Sequence, residues 1–276
     1  MTTAMSELWE QVDAITRGCG FVDRSADRKL TVGGADARGW LGDLITADVA
    51  TLEPGTSRRS LLLSPTGRIR ADLLIARCDD GSFLVMQAME QPEPAVDLLS
   101  PYVLSSDVQL DDVSALRGAL LLTERNEIVT APLPELVAVE HDLLERGCLR
   151  IGEPAHEVWR VGRGDARMGA DFDAGALPAE AGLEHTIDFG KGCFLGQESV
   201  AKVRNLGHPP TVLRHGWTQA DTQVGAKVHA ARDEVGAITS VAPRRAGGLA
   251  FIARVNWGAA ERELTTGGSP LIPAAD

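Results

Sequence analysis

Apolar residues recur at helical spacing from about Ser6 to Thr16, where Leu8, Trp9, Val12 and Ile15 share one side and predict a helix. Phe21 and Val22, then Leu30, Thr31 and Val32, predict two short strands around a polar turn. Asp36 stands where it can cap a helix carrying Trp40, Leu41, Leu44 and Ile45, a helix that ends before Pro54-Gly55. Leu61 to Leu63 and Ile69 to Ile75 flank Ser64-Pro65-Thr66-Gly67, the pattern of a hairpin with turn-forming residues at its centre. Asp79-Asp80-Gly81 marks another turn before the apolar run Phe83 to Met86.

Helices are expected from Pro92 to Leu104 and from Glu135 to Glu145, the second with Leu136, Val139, Leu143 and Leu144 on its apolar side. Val108 to Leu110 and Ala119 to Leu122 predict strands between them. Beyond Pro209-Pro210 the pattern changes to short apolar runs separated by Gly and Pro: Val212-Leu213, Val224 to Val228, Ala237 to Val241 and Leu249 to Val255. These predict a small all-β barrel or sandwich. The fold class is therefore α+β, with runs of strands broken by single helices, and a doubly wound parallel sheet fits poorly. A boundary near Asn205 to Thr211 divides the chain into 1–205 and 206–276.

Composition narrows the partners. The 276 residues are 44% hydrophobic and carry a formal net charge of −12. That acidity disfavours broad contact with nucleic-acid phosphates or an anionic membrane. Two local basic groups remain, Arg58, Arg59, Arg68 and Arg70 in one and Lys191, Lys202, Arg204, His208, Arg214 and His215 in the other. They are either solvated surface charge or a place for a small anionic ligand. Cys19, Cys78, Cys148 and Cys193 form no CxxC and no paired ligand spacing, so no metal site is expected. The chain shows no secretory leader pattern and no run of 18 apolar residues, which predicts a cytoplasmic protein with reduced thiols.

Chemistry concentrates at Lys191 to Lys202, KGCFLGQESVAK. Cys193 precedes a short helix expected to start near Gly196, and Lys191 lies two residues away. Helix-start amides and a nearby cation both favour a thiolate. The alternative is that Cys193 is a small apolar filler. Gln197 can cap the helix, and Glu198 and Lys202 are spaced for an exposed i,i+4 pair.

These residues resemble those of the YgfZ-type folate-binding proteins, relatives of the glycine-cleavage T-protein, an aminomethyltransferase. The likeness runs through GADARGWLGDLITADVATLEPG (34–55), LLLSPTGRIRADLLI (61–75), LPAEAGLEHTIDFGKGCFLGQE (177–198) and the closing strands from Gly236 to Val255. It is carried most specifically by Lys191-Gly192-Cys193-Phe194 followed by Gly196-Gln197-Glu198. The resemblance implies a three-subdomain cloverleaf around a central channel for tetrahydrofolate or a one-carbon derivative, with a C-terminal small β-barrel. It also implies an accessory role in making or repairing iron–sulfur enzymes, with client or assembly proteins as partners. The alternative is a folate-dependent aminomethyltransferase or demethylase.

Two departures from the T-protein pattern bear on that choice. Its Gly-Gly-Ile-x-Asp-Asp stretch corresponds to Gly67 to Asp72, where only Asp72 keeps a carboxylate. On a strand Arg70 and Asp72 share a face, either lining a pocket or forming a surface ion pair. Its pterin-binding glutamate corresponds to Gly162. The resemblance makes Cys193 and Asp72 the reacting groups, with Asp72, Arg70, Lys191, Gln197, Glu198 and Arg204 on the folate side; Arg58 and Arg59 are further cations for a glutamate tail.

Overall fold

The computed structural model describes residues 3–123 and 127–274. In chain order the elements are α1 (Thr3–Arg17), β1 (Gly20–Asp23), β2 (Arg28–Gly33), α2 (Ala37–Leu44), β3 (Ser57–Leu63), β4 (Ile69–Arg77), β5 (Phe83–Gln87), α3 (Ala95–Leu99), β6 (Gln109–Asp112), β7 (Arg117–Leu122), β8 (Glu127–Pro132), α4 (Leu133–Glu145), β9 (Leu149–Arg150), α5 (Glu153–Arg163) and α6 (Gln197–Leu206). Six strands follow: β10 (Thr211–Thr218), β11 (Lys227–Ala230), β12 (Asp233–Pro243), β13 (Leu249–Asn256), β14 (Leu264–Thr266) and β15 (Ser269–Pro273). The α+β class and the C-terminal β-barrel are both present.

The chain forms two compact units, Met1–Val12 with Glu153–Glu184 and Val200–Asp276, and Asp13–Gly152 with His185–Ser199. The second unit holds two sheets, one ordered β3-β4-β5-β2-β6 and the other β8-β7-β1-β9. β1 and β2, consecutive in sequence, thus go to different sheets. The five-stranded sheet packs one face on a core of Leu41, Ile45, Leu73, Ile75, Phe83 and Leu99 among others. β4 shows why: Ile69, Ala71, Leu73 and Ile75 are buried while Arg70, Asp72 and Leu74 alternate on the more open face.

The first unit is built on the closed barrel β10-β13-β12-β11-β14-β15. α5 packs on it through one side of the helix. Only Ala155, Val158 and Val161 are apolar on its buried side; the fourth inward residue is Arg160, 3% exposed. Its guanidinium bonds both oxygens of Glu157 (3.0 and 2.6 Å), Asp171 (2.6 Å), the Asp165 carbonyl (2.7 Å) and Ser240 on β12 (2.8 Å). Thr239 and Ser240 donate to the other Asp171 oxygen at 2.6 and 2.7 Å, so the buried charges are satisfied within one network. Burial raises the Glu157 carboxyl, but the hydrogen bond and charge of Arg160 outweigh it and hold the group below its usual range.

Three predicted features differ, the first being the strand expected over Val224 to Val228, which forms at Lys227–Ala230. The helix expected over 92–104 is only Ala95–Leu99 continued by a 3-10 turn at Ser100–Tyr102, because Pro101 lacks the amide that a longer helix would need. Asp36 occupies the N-cap position of α2, yet its carboxylate makes no cap bond and instead accepts the Asp107 amide at 2.8 Å. Strand β8 and helix α5 are found only in the structure.

Candidate functional site

The segment 188–199 is pinned to the second unit along its length. Asp188 donates its amide to the Thr46 carbonyl at 3.0 Å, and Leu195 its amide to the Asp43 carbonyl at 2.9 Å. Thr46 is itself fully buried, accepting the Leu61 amide at 2.9 Å and donating to the Thr186 carbonyl at 3.2 Å. At the far end Gly196 has φ +82°, and a Cβ there would stand 2.5 Å from the Ser64 carbonyl oxygen and 3.2 Å from the Gly67 Cα. The segment therefore lies directly against the turn between β3 and β4. Ser199 adds a hydrogen bond to the Pro65 carbonyl at 3.1 Å.

Lys191 turns inward. Its ammonium donates to the carbonyls of Gly42, Ile45 and Ala47 at 2.6, 2.5 and 2.9 Å. Three donors meet three acceptors at the C-terminal end of α2, where the helix dipole favours a cation. Burial pushes the Lys191 pKa down to about 8, partly offset by the charges of Asp48, Asp188 and Asp43. The expectation that Lys191 serves the Cys193 thiolate is corrected accordingly: all three donors are spent on backbone carbonyls.

Cys193 is exposed, between exposed Gly192 and buried Phe194. α6 begins at Gln197, one residue after the expected start, and the Gln197 side chain accepts the Phe194 amide at 3.2 Å. Gln197 is thus a cap for this turn. Glu198 is exposed on the first turn of α6 and Arg204 is exposed on its last, within the other compact unit.

On β4, Asp72 and Arg70 share a face but have separate partners. Arg59 on β3 grips Asp72 with both ends of its guanidinium, at 2.9 and 2.6 Å. Arg70 makes a two-pronged bond to Glu93 at 2.9 and 2.7 Å. Of the two alternatives for this face, a mutual Arg70–Asp72 ion pair is absent, because Arg59, opposite Leu74, lies diagonally across the ladder from Asp72 and takes its carboxylate. Arg58 turns to the Asp48 carbonyl at 2.8 Å. The basic group at 58–70 is therefore divided among individual partners.

A residue that sequence reasoning missed completes this face. Ladder pairing between β4 and β5 stops at Leu74 opposite Met86. Beyond it the buried Gln91 side chain pairs with the Asp72 backbone, accepting its amide at 2.9 Å and donating to its carbonyl at 2.6 Å. An amide side chain thus takes the place of a strand residue. Nothing local in the sequence announces it, because the partners are 19 positions apart.

Asp72 fits a ligand that donates hydrogen bonds. A carboxylate offers roughly four lone-pair sites and Arg59 occupies one on each oxygen, leaving acceptor capacity free. Gly162, set by the resemblance at the place of a pterin-binding glutamate, lies in α5 with nothing within 4 Å of where a Cβ would stand, and itself offers no carboxylate. Among the described residues, no group of three His, Cys, Asp or Glu could hold a metal ion, and no helix is long and apolar enough to cross a membrane. A polar cleft of about 400 Å³ lies elsewhere, on the barrel beside Asp221, Gln223, Lys227 and His229, and contains none of the residues singled out from the sequence.

Residues 2–123 match the family model described as the GCVT N-terminal domain. An uncharacterized protein of Haemophilus influenzae is 25% identical over 225 residues, covering 75% of this chain and 78% of that one. Aminomethyltransferases of Bordetella petrii (27% over 235 residues, 68% of this chain and 63% of that one) and Streptomyces coelicolor (25% over 293 residues, 86% and 78%) are similarly related. Among solved structures, the glycine cleavage system aminomethyltransferase T from Bartonella henselae matches with a TM-score of 0.79 at 18% identity, covering 96% of this chain and 88% of that one. The fold is that of the aminomethyltransferases.

Proposed function

We propose that this GcvT-like chain is a tetrahydrofolate-binding accessory protein of the YgfZ type, which supports iron–sulfur enzymes through Cys193. The observation that carries the proposal is the contrast within one segment: Lys191, Phe194, Leu195, Gly196 and Gln197 are all committed to the surrounding structure, while Cys193 alone among them is exposed. A rigid loop that presents one thiol suits a transient ligand or acceptor better than a packing role. One thiol is too few to hold a cluster, so a client or assembly protein, or a small thiol, completes the coordination. The folate side rests on Asp72 as hydrogen-bond acceptor, with Arg59 and Gln91 fixing it; Arg70, Glu198 and Arg204 are further candidates. The lost glutamate at Gly162 implies weaker binding than in a true transferase, by roughly 1.5–3 kcal/mol for a charge-assisted bond. The net charge of −12 argues against nucleic acid or membrane as partner, and the expected site of action is the cytoplasm.

Titration with tetrahydrofolate, paired with restoration of iron–sulfur enzyme activity in cells lacking the protein, tests this. Cys193→Ser should bind folate as the wild type does and fail to restore activity. Asp72→Asn should weaken folate binding about tenfold, the equivalent of one neutral-for-charged acceptor. Full restoration by Cys193→Ser would falsify the role of the sulfur.

The free acceptor capacity of Asp72 and the aminomethyltransferase relatives favour a second reading, a folate-dependent aminomethyltransferase or demethylase. Folate-dependent release of formaldehyde equivalents that is abolished in Asp72→Asn and kept in Cys193→Ser would select it.

A further inference from the structure

The tripeptide Arg-Gly-Cys occurs twice, at 17–19 and at 146–148. Both copies close a helix in the same manner. Gly18 and Gly147 have φ of 80° and 84°. The amides of Cys19 and Cys148 reach back to the carbonyls of Ala14 and Leu143, each at 3.0 Å, and the glycine amides to those of Ile15 and Leu144 at 3.3 and 2.9 Å. This is the six-residue bonding pattern by which a left-handed glycine ends a helix. It leaves a cysteine directly after the glycine that ends each helix.

Both chains then enter strands that pair with each other in parallel, Gly20 opposite Leu149 and Phe21 opposite Arg150. The Leu149 amide donates to the Cys19 carbonyl at 2.7 Å. Extended one step back, past the paired residues, this register would set Cys19 opposite Cys148. Opposite residues on neighbouring strands lie about 4.8 Å apart, within the Cα separation of about 4.4–6.8 Å that a disulfide spans. Cys148 packs with Phe21, Leu136 and Leu143, and strand alternation continued to Cys19 would turn its side chain to the same face. Both thiols are half-buried and free.

We propose that Cys19 and Cys148 form a reversible intramolecular disulfide by exchange with a small disulfide. One cysteine thiolate attacks the reagent, making a mixed disulfide and expelling one thiolate. The other cysteine thiolate then attacks the protein sulfur of that adduct, closing the Cys19–Cys148 bond and expelling the second. The two protons lost by the cysteines end on the two small thiols released, and the reagent is reduced as the pair is oxidised. The other cysteines behave differently. Cys193 is exposed and ends as a mixed disulfide, while burial pushes the Cys78 thiol up and slows it.

The test is incubation of the folded full-length chain with oxidised glutathione, alkylation of remaining thiols, proteolysis and mass spectrometry. A linked Cys19–Cys148 peptide pair is expected, reversed by dithiothreitol, with Cys193 recovered as the glutathione adduct. Cys148→Ser should convert Cys19 into a stable glutathione adduct. Recovery of Cys19 and Cys148 from wild type as separate alkylated or glutathionylated peptides, or linkage of either to Cys78 or Cys193, would overturn the proposal.

Discussion

Replacing Lys191 by methionine tests how the cysteine loop is held. The substitution keeps the stem length and removes the ammonium, so the carbonyls of Gly42, Ile45 and Ala47 lose their shared donor. A buried acceptor left without a partner costs about 1–3 kcal/mol. Three of them give an upper bound of several kcal/mol, which water reaching the half-buried end of α2 lowers to about 2–4 kcal/mol at pH 7. The pH dependence has a definite sign. The Lys191 pKa falls from 10.5 to about 8 on folding, so between these values the unfolded chain holds a proton that the folded chain has released. Stability of the wild type therefore rises from pH 8 toward 10.5 as the burden of the buried charge is lifted. The drop corresponds to about 3 kcal/mol, which partial solvent contact reduces to about 1–2 kcal/mol. Urea unfolding of both proteins at pH 7, 8.5 and 10 reads this directly: the margin of wild type over Lys191→Met should widen with pH. Cys193 alkylation should also lose its single-phase kinetics as the loop loosens. A variant as stable as wild type at pH 7, or a margin that shrinks with pH, would refute the assignment of Lys191 as the pin.

Gly196→Ala places a methyl 2.5 Å from the Ser64 oxygen at a φ of +82°, so thermal unfolding should show a loss of about 1–3 kcal/mol and the Cys193 loop should become protease-sensitive. An unchanged melting curve would mean that the loop does not rest on the β3–β4 turn as described. Arg160→Met leaves the buried Asp171 without its cation and Glu157 with Arg167 alone, and chemical denaturation should register a loss of about 3–5 kcal/mol. A loss below about 1 kcal/mol would show that the network is not what fastens α5 to the barrel.

Much of the fold was legible wherever burial is achieved by apolar side chains in a regular period. The hairpin at Ser64 to Gly67, the alternation along β4 and the closing barrel all follow from residues that are near one another in sequence. In α5 the apolar spacing of Ala155, Val158 and Val161 was present in the sequence, but the inward Arg160 was not readable, because its partners Asp171 and Ser240 lie 11 and 80 positions away. At the site, Cys193 and Gln197 were readable from KGCFLGQE, since a cap and an exposed loop residue are set by local geometry. The direction of Lys191 was not, because its acceptors lie 144–149 positions earlier. Arg59 was named as a cation, but its true partner depends on which residues of β3 and β4 lie diagonal to each other. Gln91 depends on where a strand stops pairing, a property of the sheet and not of the glutamine.

Closure of the C-terminal barrel also decides how the protein can go wrong. Each of its six strands has a hydrogen-bonded neighbour on both sides, so none is an edge strand open along its whole length to another molecule. The two open sheets end on β3, β6, β8 and β9, and lateral growth by strand addition is confined to those rims. Aggregates seeded from the native state should accordingly be lined by segments from the first 150 residues, with the last 66 remaining digestible on their outside.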